Sequence, residues 1–339
     1  MKKNYDIIDI IKFICAILVV AINTHPFREI SRYLEFGIAN VLARIAVPFF
    51  FATAGYFFTI KILNSDDKRK ILIDYFKKII ILYLGWSLIY LYFDVQAIMR
   101  HTDNVYAIIF QYIKNLILFG THFHLWYVVA SIMAIFLLYI SLVSKEVKSF
   151  FIISLLLYIV GLLGDSYFGL IKQNEFLLDI FKSYFKILGN TRNGLFFAFP
   201  FIMMGAIIYL KPNKSRNNYI YAIISFILLV VESFILKYYK IPKDYNLYIM
   251  LLPFTYFFLS YLLSLEIKIN KSITNTARSY SMGIYFIHGI FLIVYDKVYL
   301  KLGLLSNNTI KFMFVLISSI LAIWIIKKLK IPFIRNLVK

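Results

Sequence analysis

The stretch IIDIIKFICAILVVAINTHP, residues 7–26, decides the fold. It is long and apolar enough to cross a bilayer, yet Asp9, Lys12 and Asn23 interrupt it, and charge inside a bilayer needs a reason. A helix turns about 100° and rises about 1.5 Å per residue, so the eleven-residue step from Lys12 to Asn23 is about 1100°, three turns plus about 20°. The two side chains therefore share a face, about 16 Å apart along the axis. His25 lies about 220° from Lys12 by the same arithmetic and points to the opposite side, if the helix reaches that far.

Composition extends this reading to the whole chain. Its 339 residues are 61% hydrophobic and 19% aromatic, with mean hydropathy +0.78, which marks a polytopic membrane protein. Apolar stretches recur at 7–24, 38–60, 76–95, 125–143, 149–163, 194–210, 218–236, 247–265, 280–298 and 309–326. The expected fold is therefore all-α with about ten transmembrane helices, because backbone exposed to lipid must satisfy its own hydrogen bonds. Residues 1–339 read as a single integral-membrane domain, without internal repeat, low-complexity run or long linker.

The net charge of +20 matters through its placement. Basic residues crowd Lys2 and Lys3, then Lys61, Lys68, Arg69, Lys70, Lys77 and Lys78, then Lys145 and Lys148, then Lys211, Lys214 and Arg216. They return at Lys268, Lys271 and Arg278, and at Lys327, Lys328, Lys330 and Arg335. These are alternate loops plus both termini, so the positive-inside rule places both termini in the cytoplasm. Loops 96–123 and 164–193 are expected on the outer side. Lysines so placed serve topology beside anionic lipid rather than nucleic-acid binding. The first span has basic flanks but no small-residue cleavage site, and is expected to stay in the mature protein. A lone cysteine, Cys15, excludes an internal disulfide or a thiol zinc cluster; no metal site is expected.

Polar residues elsewhere in the apolar segments are candidates for function. Arg44 precedes Pro48 and Gly55 in the second span, where an intramembrane arginine faces a partner or a wet cavity unless it snorkels to an interface. His124, Trp126 and Tyr127 open the fourth span; the aromatics suit an interfacial belt, and His124 suits proton exchange or a structural hydrogen bond. Loop 164–193 is long enough for a lid or binding loop. In it Asp165 and Arg192, followed by Asn193, could pair or could grip the ammonium and carboxylate of an amino acid. Glu232, near the outer end of the seventh span, and Tyr285 with His288, three apart on the ninth, are further candidates.

These residues resemble a known family. Asp9-x-x-Lys12, then Val19-Val20-Ala21-Ile22-Asn23-Thr24-His25-Pro26, with Arg44-x-x-Val47-Pro48-Phe49-Phe50-Phe51 and Gly55, are similar to the acyltransferase-3 superfamily of ten-helix membrane proteins. Four motifs, His124-Leu125-Trp126-Tyr127, Gly164-Asp165-Ser166-Tyr167-Phe168-Gly169, Thr191-Arg192-Asn193-Gly194 and Ile241-Pro242-Lys243, resemble the membrane domain of the vancomycin-resistance serine racemases. The resemblance covers nearly the whole chain. In those racemases a cytoplasmic pyridoxal-phosphate domain follows the membrane part; no such domain is seen here, so racemase chemistry is not expected of this chain alone.

The resemblance also implies a reaction centre. In acyltransferase-3 enzymes a basic residue of the first span is followed eleven positions on by a histidine thought to deprotonate an acceptor hydroxyl. Lys12 holds the basic position and Asn23 the histidine position. An amide hydrogen-bonds but takes no proton at useful pH. Either acyl transfer is lost, or His25 is recruited through an unwound end, or Asn23 is an introduced substitution.

Two functions follow. One is a module that binds and imports or delivers L-serine for D-serine production in cell-wall precursors, with Arg192 and Asp165 as gate or substrate contacts. The other is an O-acyltransferase moving an acetyl-type group from cytoplasmic acyl-CoA to an outer hydroxyl, with Lys12 and Arg44 orienting the acyl-CoA. No covalently bound cofactor is expected, and acyl-CoA is the candidate co-substrate. The expected surroundings are the bilayer of a bacterial cytoplasmic membrane, with pairing to a second copy of the chain left open. A bare anchor needs neither a buried Lys12 nor Asp9.

Overall fold

In a computed structural model, residues 5–213, 215–303 and 307–329 are described. Lys2, Lys3, Lys214, Lys330 and Arg335, which entered the topology argument, lie outside them. Among the described residues no strand occurs. The α-helices in chain order are α1 (Asp6–Thr24), α2 (Arg32–Phe36), α3 (Ala46–Leu63), α4 (Lys68–Met99), α5 (Val105–Lys114), α6 (Trp126–Val143) and α7 (Val147–Leu163). They continue with α8 (Phe168–Ile171), α9 (Glu175–Leu188), α10 (Phe199–Leu210), α11 (Asn218–Tyr238), α12 (Leu251–Ser264), α13 (Lys271–Leu302) and α14 (Asn308–Lys328).

Among the described residues, seven helical segments are long and apolar enough to cross a membrane: Asp6–Thr24, Arg32–Leu63, Lys68–Met99, Trp126–Val143, Asn218–Tyr238, Lys271–Leu302 and Asn308–Lys328. Four further apolar helices are shorter: Val105–Phe119, Val147–Leu163, Gly194–Leu210 and Leu251–Ser264. The chain is thus a multi-pass membrane protein.

The stretches read as loops hold helices too. Residues 96–123 contain α5, started by Asn104, whose side chain accepts from the N–H of Tyr106 and Ala107. Residues 164–193 contain α9, started by Asn174, which accepts from Leu177 N–H. Such side-chain caps satisfy donors that a helix start leaves open, so short polar breaks begin helices as readily as loops.

Cα packing resolves two compact units, Met1–Phe50 with Phe258–Lys339, and Phe51–Phe257. In the first, α1 lies along α13 and α14. Its core includes Ile8, Ala16, Val20, Ile284, Val315 and Ile323. Gly283 makes room for Ile323, whose Cδ1 would lie 2.7 Å from an added Cβ.

In the second unit α6, α7 and α10 pack around a π-helical turn at Gly194–Ala198. Leu138, Phe201, Ile202 and Met203 are among its buried apolar residues. Here α3 and α10 cross with their backbones nearly touching: a Cβ on Gly55 would lie 2.0 Å from Ile202 O, and one on Gly205 1.9 Å from Ala52 O. Small residues at such crossings let helices approach in lipid, where packing rather than water exclusion drives association. Pro48 follows the 3-10 turn Leu42–Ile45 that leads into α3, where the hydrogen-bond ladder of the Arg32–Leu63 segment is already irregular.

Candidate functional site

In the first unit the polar face of α1 is met by α13. Asp6 and Asp9 sit in the first turn of α1. Asp9 is held by Arg278, whose Nη2 donates to Oδ2 at 2.6 Å while Nε donates at 3.1–3.2 Å. Asp6 accepts from Lys271 Nζ at 2.7 Å and from Ile269 N–H at 3.2 Å. Ser281 Oγ donates to Lys12 O at 2.9 Å, one turn further on. Lys271 and Arg278, read in the sequence as topology signals, thus also fasten α13 to α1. The acids at the start of α1 suit the positive end of its dipole.

Asn23 lies at the far end of this contact. Its amide donates to Val19 O at 2.8 Å and faces His288 Nε2 at 3.3 Å. His288, fully buried, has Nδ1 at 2.7 Å from Tyr285 O and 3.0 Å from Ile284 O. Both are acceptors, so the proton sits on Nδ1, and Nε2 accepts from Asn23. Tyr285 shares the face, its ring 6.4 Å from the imidazole. The first-span position that in the resembling enzymes holds a histidine therefore has an imidazole against it, brought by α13.

His25 does not continue the helix. It takes the left-handed conformation (φ 51°) that ends α1, and its Nδ1 meets Glu35 Oε1 at 2.6 Å. Regular helical phase thus ends at Thr24, and the unwound end delivers His25 to Glu35 instead. Arg44 stands in a 3-10 turn, Leu42–Ile45, directly after a π turn, Gly37–Val41, and its Nη2 donates to Asn40 Oδ1 at 2.8 Å. Mid-helix π and 3-10 turns often mark functional positions; nothing in the hydropathy of residues 38–60 showed this one.

The second unit gathers all four of the motifs at 124–127, 164–169, 191–194 and 241–243. Asp165 is fully buried and accepts from Asn246 N–H (2.8 Å), Asn246 Nδ2 (2.8 Å) and Leu247 N–H (3.1 Å). Burial pushes its carboxyl above the usual range, and these N–H groups pull it back. Ser166 donates to Leu247 O, Lys243 N–H to Asp165 O, and Gly169 N–H to Ile241 O. Arg192 Nη1 donates to Asn246 Oδ1 at 3.3 Å. Asp165 and Arg192 are therefore joined through Asn246, a residue the sequence did not single out, and not by a direct ion pair. The guanidinium also lies 4.8 Å from the centre of the Trp126 ring, a stacking geometry that suits arginine.

Asn193 caps the π turn, its Oδ1 accepting from Leu195 and Phe196 N–H and its amide donating to Tyr184 Oη at 2.7 Å. Burial raises the Tyr184 hydroxyl to about 12. Glu232 accepts from Tyr167 Oη (2.8 Å), Ile249 N–H (2.7 Å) and Met250 N–H (2.9 Å), so it caps the start of α12. Tyr127 stacks on Phe51 at 4.5 Å. His124 is buried, edge-on to Tyr90 and His122.

Between these elements lies a cavity of about 450 Å³, bounded by His122, Trp126, Tyr184, Arg192 and Asn193. Two π turns, Asn115–Phe119 and Gly194–Ala198, supply more of its wall. Its size falls in the range of small-molecule sites, about 300–1,000 Å³. A cation on one side and largely apolar walls elsewhere suit a small anion such as a carboxylate.

A family model described as "Acyltransferase domain" (Acyl_transf_3) matches residues 5–328. An amino-acid racemase of Enterococcus faecalis is 35% identical over 256 residues, 75% of this chain and 35% of the relative. A second amino-acid racemase of that organism is 28% identical over 338 residues, 97% of this chain and 47% of the relative. A serine/alanine racemase of Enterococcus gallinarum is 31% identical over 317 residues, 92% of this chain and 44% of the relative. The chain thus spans between about a third and a half of the length of these relatives. No solved structure matches it.

Proposed function

Given that the chain belongs to the acyltransferase-3 family, we propose that it acts as the membrane module of a racemase-type protein, binding L-serine and importing or delivering it for D-serine production. The observation that carries this reading is a cavity whose wall holds Trp126 and Arg192 from two of the racemase-like motifs, with Asp165 of a third bracing Arg192 through Asn246. The names of the relatives, amino-acid racemase and serine/alanine racemase, supply the substrate class. A bacterial cytoplasmic membrane with both termini inside is part of the proposal, as is the absence of a nucleic-acid role. The test is uptake of labelled L-serine by proteoliposomes, together with thermal stabilisation of the purified protein by L-serine, since a ligand that prefers the native state raises its stability. Folded protein that neither binds nor moves serine would refute the reading.

A second reading, O-acyl transfer from acyl-CoA to a hydroxyl, is favoured by one arrangement: the imidazole of His288 against Asn23, on the helix that also carries Lys12. In this reading His288 stands where the resembling enzymes use a first-span histidine, and Lys12 and Arg44 orient the acyl-CoA. Its test is acetyl-CoA in place of serine in the same melting measurement. Stabilisation by acetyl-CoA alone, with hydrolysis or transfer that rises in Asn23→His, would establish it over the first.

A further inference from the structure

Beside the Arg192 cavity lies a pair that no motif announced. Asp94, near the end of α4, accepts a hydrogen bond from His122 Nδ1 at 2.5 Å. Both side chains are largely withdrawn from solvent, 7% and 11% exposed. The imidazole is fixed in plane by Tyr90, whose ring stacks on it at 4.2 Å and 10°. The residue before it is pinned by Thr121 Oγ1 donating to Ser87 Oγ at 3.1 Å. Carboxylate and stacking partner both come from α4, one turn apart, so the ring has little freedom to turn.

The chemistry of this arrangement is directional. With Asp94 as acceptor, the ring proton belongs on Nδ1, which leaves Nε2 as a lone-pair acceptor. Nε2 is buried and meets no hydrogen-bonding partner among the described residues. A buried acceptor without a donor is costly, which makes it a place for a ligand's donor to dock. His122 borders the same cavity as Arg192. Asp94 and Thr121 border an adjoining cavity of about 530 Å³, and the two share Asn115 and Thr121 as a wall.

We propose that the Asp94–His122 pair is the accepting half of a small-molecule site whose cationic half is Arg192, and that the ligand is a small carboxylate carrying a hydroxyl or ammonium donor. The carboxylate pairs with Arg192, and the donor hydrogen goes to His122 Nε2. This deepens the serine reading, on which it rests for the choice of ligand, by naming the residues that would tell serine from a bare carboxylate.

The experiment is calorimetric titration of the whole chain in detergent with L-serine, L-alanine, 3-hydroxypropionate and acetate. Wild type is expected to bind L-serine well above acetate. His122→Phe keeps the stack on Tyr90 and removes the acceptor; serine affinity should fall about tenfold while acetate binding is unchanged. Asp94→Asn can donate to Nδ1 and so turn Nε2 into a donor, and should weaken serine similarly with a near-native melting temperature. If His122→Phe fails to fold, Asp94→Asn carries the test. Serine affinity unchanged in the folded variants would overturn this inference and leave the serine reading standing. Binding of 3-hydroxypropionate but not serine, lost in His122→Phe, would support the inference and refute the serine reading. Binding of none of the four by wild type would refute both.

Discussion

The two units handle polar groups in opposite ways. In the first, Asp6, Asp9, His25 and Arg44 each meet a protein partner, Lys271, Arg278, Glu35 and Asn40. In the second, the motif residues hold one another, Asp165 through Asn246 to Arg192, and their assembly borders a cavity. Charge in an apolar segment is thus no single signal. On α1 most of it fastens one helix to another, whereas in the second unit a buried carboxylate braces a loop that presents an arginine. A carboxylate that accepts three N–H groups is spent as a scaffold, and the group it positions is the better candidate for touching a ligand.

The sharpest way to break this contrast is Arg278→Ala. Asp9 is only 8% exposed while Arg278 is 65% exposed, so removing the arginine takes the hydrogen-bond donors from a buried carboxylate and leaves it only the charge of nearby Lys12, whereas Asp9→Asn leaves a cation that water can solvate. Arg278→Ala should cost about 3 kcal/mol and Asp9→Asn about 1 kcal/mol, read as a larger fall in detergent melting temperature. Equal effects would mean the clamp is a surface pair.

Next in size is the helix crossing of the second unit. Gly205→Ala places a methyl against Ala52 O and should cost about 2–3 kcal/mol, seen as a lower melting temperature. Asn246→Ala comes third: it leaves Asp165 short of donors and Arg192 without its anchor, for about 2 kcal/mol and about a fivefold loss of serine affinity. Glu232→Gln keeps one accepting oxygen at the start of α12 and should cost about 1 kcal/mol, again by melting, without change in serine affinity. Smallest is Asn23→His: serine affinity should stay within about twofold, and a larger loss would move the ligand site to the first unit.

Some of this was legible in the sequence. The apolar stretches located the helices, and the Gly164–Gly169 and Thr191–Gly194 motifs pointed to residues that the fold brings together. The composite start of the second span, the helices α5 and α9, and the end of α1 at His25 were not. Capping by Asn104 and Asn174, and the left-handed turn at His25, depend on local side-chain geometry that average hydropathy does not sense. Asp94 and His122 escaped notice because they sit 28 residues apart and in no motif.

What the chain determined by itself is its class: apolar runs of bilayer length must become helices, because each residue's cost in lipid is local and adds along the segment. Only tertiary structure decided what each polar group does. Asp9 meets Arg278 across 269 positions and Asn23 meets His288 across 265. Pairing energies depend on which distant residue arrives and how deeply both are buried, and neither quantity is a property of either residue's neighbours in the sequence.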